Sequence, residues 1–378
     1  MPDTAAPIRA CLIVDDIPVN AIYMSRAQHE MFGYEPSERD HVFGWRELER
    51  NPRFRLDELE RLADITERHG VRGKFTYLPF PAGWGRIDQH VRGYSDDELA
   101  RMNAIVRDRI GPRFDITPEV LTHTMAILPE HGALLPHAET HWISYLCRER
   151  RTEELAAYLR MAYQILRNVG IEAHGLTLGG MPDPSNIARG QSITNGHFRD
   201  VIGEVLLAVE REFTPAPATP TATPATPDTG DTGDSFIFSG SPPLSDASRN
   251  RRAPEATYRA PASGQSPPVR VFDMHSIIDP LWFYHHGRGS EAMAVDRLMT
   301  HDLEAGQFIE DAEVGRSIVF TVHGQTLNCL NTGLGFKVLE EVLRRLDDRF
   351  GDRLQWHTPR ELVAAVGVDE LDAAVQAT

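Results

Sequence analysis

The chain has 378 residues, a formal net charge of −16, and 25% charged against 41% hydrophobic side chains. An acidic balance spread along the whole length argues against a nucleic-acid or anionic-membrane surface, and no apolar run approaches the roughly 20 residues of a membrane span. Cys11, Cys147 and Cys329 are far apart and lack CxxC spacing, which argues against a disulfide framework and a thiolate zinc site.

Met1-Pro2-Asp3-Thr4-Ala5-Ala6-Pro7 lacks the basic start and apolar core of a secretory signal, so the expected location is the cytoplasm. Arg9-Ala10-Cys11-Leu12-Ile13-Val14-Asp15-Asp16 then reads as a buried strand that stops on two carboxylates. An acidic helix cap would look similar. The segment from 17 to 54, rich in Pro, His and aromatics, is too apolar to float free and is expected to fold over a pocket rim.

Leu56, Leu59, Leu62, Ala63 and Ile65 recur at helical spacing before Gly70, and Val71 to Pro79 reads as a second strand. Ser95 and Glu98 form a capping box for a helix carrying Leu99, Met102, Ile105, Val106 and Ile110. A third strand is expected from Phe114 to about Met125, leading into a loop with His131, His137 and His141. Leu155 to Val169 is strongly amphipathic, Gly175 to Gly180 is a short strand breaking into a glycine turn, and Phe198 to Val209 is another helix.

From 214 to 268 the composition shifts to Thr, Pro, Ala, Ser, Gly and Asp, which predicts a disordered insertion within one folded unit made of 1–213 and 269–378. Strands resume at Val269–His275 and at Arg316–Gly324. A helix around Phe336 to Leu346, a strand at Leu354-Gln355-Trp356 and a last helix opened by Thr358-Pro359-Arg360-Glu361 complete the pattern. This α/β alternation predicts a parallel barrel.

Several strands end on ionisable or ligand-type residues: Asp15-Asp16, His123, Asp273-His275 and His323. Acids and imidazoles converging from strand ends are what a hydrolytic metal site requires. A carboxylate and two imidazoles suit zinc or a similar divalent ion, and His137 with His141, four apart, share one side of a helical turn. His323 ends the most strand-like run and reads either as a satisfied core histidine or as a general acid. Trp84, Trp142 and Trp282 read as loop anchors or as platforms for a sugar face.

In the order of these motifs the chain resembles the polysaccharide deacetylase family of the glycoside hydrolase/deacetylase superfamily. Ile13-Val14-Asp15-Asp16-Ile17 is similar to that family's Thr-Phe-Asp-Asp-Gly motif, and Ile318 to His323 is similar to its final strand ending in Leu-x-His. The resemblance implies a distorted (β/α) barrel of the polysaccharide-deacetylase type, with Asp15 as general base, Asp16 as metal ligand and His323 as general acid. The family's H-x3-H segment looks like Glu119-Val120-Leu121-Thr122-His123-Thr124, but Ile127 stands where the second histidine would be. The remaining ligands are therefore either His123 with a histidine of the next loop, or His137 and His141.

Leu176 to Pro182 replaces the family's Arg-Pro-Pro-Tyr-Gly turn and lacks its arginine. Gln325, with Asn328 and Asn331, suggests polar groups facing a ligand, and Trp84 is a second candidate substrate contact. The expected function is a divalent-metal, zinc-first, hydrolase removing an N- or O-acetyl group from a carbohydrate or another small acetylated substrate. The alternatives are an inactive barrel that binds carbohydrate or a partner, and a hydrolase of a non-sugar amide.

Overall fold

The computed structural model describes residues 6–18, 53–178, 198–213, 234–238, 255–259, 270–274, 276, 291–328 and 332–366. The first half contains β1 (Ile8–Ile17), α1 (Leu56–Arg68), β2 (Gly73–Tyr77), α2 (Asp96–Ile105), β3 (Phe114–Thr117), β4 (Met125–Leu128), β5 (Ala133–Ala138), α3 (Glu139–Arg148) and α4 (Thr152–Asn168). Next come β6 (Leu176–Thr177), α5 (Arg199–Phe213), β7 (Ser235–Phe238), β8 (Glu255–Arg259) and β9 (Arg270–Met274). The rest is α6 (Glu291–Leu298), α7 (Gln307–Glu313), β10 (Ile318–His323), α8 (Gly324–Asn328), α9 (Leu334–Phe350), β11 (Leu354–Trp356) and α10 (Pro359–Val366). Among the described residues no helix is long and apolar enough to cross a membrane.

The architecture is mixed α/β with a parallel sheet at its centre. That sheet runs β10-β1-β2-β3, and β11 pairs the start of β1. A second sheet runs β8-β9-β7-β6, parallel except for β8. The two sheets meet where Ile116 and Glu119 bridge in parallel to Ala173 and Thr177. At the far side the Ser276 and Thr321 hydroxyls are 2.6 Å apart. Parallel pairing therefore carries the C-terminal ends of β10, β1, β2, β3, β6, β7 and β9 toward one edge, where ligand sites of parallel sheets open.

β1 is buried on both faces, as its unbroken apolar run predicts. Ala10, Leu12 and Val14 belong to the large core shared with α1 and the other helices. Cys11 and Ile13 instead pack with Phe236 and Phe238 of β7, Met274, Val319 and Leu362. This alternation sets the second sheet across from the first. Gly73 allows β2 its close approach, since a Cβ there would lie 1.8 Å from the Leu12 carbonyl oxygen.

Helix signals behave as their chemistry dictates. The Ser95 hydroxyl accepts from the Glu98 N–H at 3.2 Å, and Thr358 and Glu361 close a reciprocal cap on α10. The third strand is shorter than expected and ends at Thr117. Pro118 has no N–H to extend the ladder, and Val120 and His123 adopt left-handed φ of 38° and 69°.

Two strands fall inside 214–268, the tract expected to be an unstructured insertion. β7 is buried and pairs on both sides, because Ser235-Phe236-Ile237-Phe238 is a short apolar island within the polar composition. β8 pairs antiparallel with β9. The remainder of that tract, most of 17–54, Gly179 to Pro182, His275, Trp282, Asn331 and Cys329 lie outside the described residues. Replacing Phe236, 1% exposed, with Ala should cost about 3–5 kcal/mol in urea unfolding. A loss under about 0.5 kcal/mol would mean that β7 is no part of the core.

Candidate functional site

β1 and β10 end side by side, with Asp15 in register with His323. Asp16 takes a left-handed φ of 63°, which breaks the alternation of the strand. The two adjacent acids consequently serve different surroundings.

Asp15 is held from within the sheet. The Lys74 ammonium, with no exposed side-chain surface, forms an ion pair with Asp15 Oδ1, and the Thr76 hydroxyl donates to the same oxygen at 2.6 Å. Lys74 Nζ also lies 4.3 Å from the centre of the Phe238 ring. Thr76, Thr117 and Thr177 continue the polar layer, with hydroxyl separations of 3.4, 3.1 and 2.8 Å.

Asp16 meets the loop after β3. One ligand atom each of Asp16, Glu119 and His123 lies within 4.8 Å of the others, and all three residues are buried. His123 Nδ1 is 3.7 Å from Asp16 Oδ1 and in ion-pair contact with Glu119 Oε1. The Gln325 side chain hydrogen-bonds to Asp16. Buried Glu119 Oε2 and Gln325 Oε1 have no hydrogen-bond partner, and His123 Nδ1 lacks a well-aligned one despite touching Glu119.

The electrostatics are those of a site short of positive charge. Burial works against ionisation of Asp16, yet the charges of His123 and His323, with a hydrogen bond from Gln325, hold its carboxyl below the usual range. Burial pushes Glu119 up to about 7, with Asp16 adding to the rise and His123 opposing it. Burial alone would lower His123, but Glu119 and Asp16 outweigh it and bring the imidazole up to about 10. The two neighbouring buried carboxylates thus favour the cationic form of His123 between them.

Of the residues singled out in the sequence, the fold brings Asp15, Asp16, His123, His323 and Gln325 to one edge. His137 and His141 do not join Asp16. His137 is exposed on β5, which pairs with β4 outside the parallel sheet, and His141 is half-buried on α3. Trp84 is half-buried, with the Arg92 guanidinium 4.4 Å over its ring, so one face of the proposed sugar platform is already covered. Trp142 stacks on Tyr145 with ring centres 5.4 Å apart. Asn328 donates to Glu58 of α1 and braces that helix against the end of α8.

Two buried residues that contact this cluster or the neighbouring Asp15 escaped the sequence reading. Glu119 was legible as the first residue of a Glu-x3-His spacing, but a search for paired histidines passes over it. Lys74 sits in an otherwise apolar strand, and a lone lysine there signals a buried counter-ion. A cavity of about 970 Å³ opens at the opposite end, where the strands begin, lined by Arg72, Arg113, Asp115, His357, Arg360 and Glu361 among others. Its Arg72 pairs with Glu361 and its Arg360 with Asp115, so these charges are matched internally and lie away from the acids of β1.

No family model matches this chain, and no curated protein does. Among solved structures the chain is similar to a 4-alpha-glucanotransferase from Thermococcus litoralis, at 9% identity and a TM-score of 0.42, over 95% of this chain and 40% of that one. The chain thus spans well under half the length of that protein, and a likeness of this degree assigns it neither activity nor substrate.

Proposed function

We propose that the chain is a metal-dependent hydrolase that removes an acetyl group from a carbohydrate or a similar small ester or amide, built on a distorted (β/α) barrel of the polysaccharide-deacetylase type. The carrying observation is the convergence of buried Asp16, Glu119 and His123 beside Asp15 and His323. The barrel reading draws support from the run of parallel strands and from the Ser276–Thr321 contact across the β9/β10 seam.

Asp16, Glu119 and His123 would hold a divalent cation, and the buried Glu119 Oε2, which has no hydrogen-bond partner, fits that role. Two carboxylates and one imidazole make a harder donor set than the expected carboxylate with two histidines, so manganese suits it as well as zinc. Such a cation supplies Lewis acidity toward a carbonyl and lowers the pKa of water. Lys74 and Thr76 fix Asp15 through Oδ1, leaving Oδ2 to accept a proton from attacking water. His323 would return a proton to the departing oxygen or nitrogen, and Gln325 keeps Asp16 oriented. The acetylated sugar as substrate rests on the motif resemblance.

A second reading, a barrel that binds carbohydrate or a partner without catalysis, is favoured by one observation: Asp15 is already neutralised by Lys74. Lys74→Met would leave Asp15 buried and unpaired, at a cost of about 3–5 kcal/mol in chemical denaturation, and Asp15→Asn in the same chain should recover part of it. No recovery in the double variant would mean that the pair carries no coupling.

Metal analysis of protein prepared without chelator, then supplied with zinc or manganese, should find about one equivalent per chain. Asp16→Ala, Glu119→Ala and His123→Ala should each lose it, whereas His137→Ala keeps it. Acetate release from acetylated xylan or chitooligosaccharides should fall about 10²-fold or more in Asp15→Asn and His323→Ala. A wild type that holds no stoichiometric metal would overturn the proposal, and metal without acetate release would favour the binding reading.

A further inference from the structure

The segment that supplies Glu119 and His123 is held by a carboxylate from another element. Glu139, the first residue of α3, is fully buried and accepts from three consecutive backbone amides: Leu121 N at 3.2 Å, Thr122 N at 2.9 Å and His123 N at 2.7 Å. The Tyr158 hydroxyl of α4 donates to the same carboxylate at 2.7 Å. On the other side, the Leu121 and Thr122 carbonyls accept from Phe80 N at 2.9 Å and Ala82 N at 3.1 Å. The Thr124 carbonyl accepts from the Glu139 amide at 3.1 Å, which closes the loop onto the start of α3.

Successive amides of a turn that converge on one carboxylate form a nest, and two left-handed residues flank this one. Here the left-handed residues are Val120 at φ 38° and His123 at φ 69°. Neither conformation is comfortable for its residue, and Val at positive φ is the more costly. The Glu139 carboxyl bonds the turn between these two residues, and Glu119 and His123, four apart, both reach Asp16 from it.

We infer that Glu139 is a positioning residue for the cation site: it fills the nest at 121–123 and thereby sets Glu119 and His123 in ligating position, with Tyr158 fixing the carboxylate. This rests on the reading of Asp16, Glu119 and His123 as a cation site. Glu139 meets the segment that carries the cluster through its backbone amides, His123 N among them.

The test uses the full chain and Zn²⁺ alone as probe. Glu139→Gln replaces one acceptor with an NH₂ that faces the loop amides. It should weaken Zn²⁺ binding, measured by competition with a chromophoric chelator, by about 10- to 100-fold. Amide hydrogen exchange in metal-free protein at Leu121, Thr122 and His123 should quicken by about tenfold or more, with β1 and β2 unchanged. Tyr158→Phe, which removes one donor, should move both readouts in the same direction by less, and it carries both measurements if Glu139→Gln does not fold.

Zn²⁺ affinity within about threefold of wild type together with unaltered exchange at 121–123 would overturn the inference while leaving the cation site standing. A wild type that binds no Zn²⁺ would instead overturn the cation site, and the exchange measurement would still judge the clamp.

Discussion

Two adjacent carboxylates at the end of a strand buried on both faces each need a partner, because an unpaired charge inside a protein is among the costliest things a fold can contain. The chain resolves this by sending them apart. Asp15 stays in strand geometry and meets the buried ammonium of Lys74 and the Thr76 hydroxyl from the neighbouring strand. Asp16, turned by its positive φ, meets His123 and Glu119, where a third acid makes the local charge balance worse rather than better. A fold that only needed to neutralise Asp16 would not add Glu119. A second buried acid beside the one that His123 already pairs is what motivates the cation proposed for the site.

The loop after β3 is heavily braced: amides 121–123 bond to Glu139 and the Leu121 and Thr122 carbonyls to Phe80 and Ala82, which restrains the segment that carries Glu119 and His123. Rigidity of this kind is what preorganised ligation requires, since ligands that must be gathered on binding lose affinity to the cost of ordering them. Asp15 is likewise immobilised by Lys74, which suits a group that must sit at a fixed distance from a reacting water and equally suits a charge kept purely for structure.

Much of the scaffold was legible in the residues. The apolar run of β1, the capping residues of α2 and α10 and the β-branched run of β10 each carry a local physical signal, and each element forms where that signal lies. The order of strands in the two sheets depends on long-range pairing that no local pattern encodes. β7 was hidden because four residues of apolar sequence cannot outweigh the surrounding Thr, Pro and Ser in any composition window.

Asp15, Asp16 and His323 stood out as the ends of apolar strand runs, whereas His123 and Gln325 stood out by motif resemblance and by polarity after His323. Glu119 and Glu139 did not, because a carboxylate one or two turns of chain away is ordinary until its burial is known. The histidines of 137 and 141 drew attention by spacing alone, while the acid between them, Glu139, is the residue bonded to the loop amides.

The most direct test of the central claim is X-ray absorption spectroscopy on the zinc-loaded protein. The account predicts a first shell of oxygen and nitrogen at about 2.0–2.2 Å containing a single imidazole, the rest being carboxylate and water oxygen. That imidazole signal should vanish, or the metal with it, in His123→Ala. A shell with two or more imidazoles, or one unchanged when Asp16 or Glu119 is replaced, would contradict the assignment.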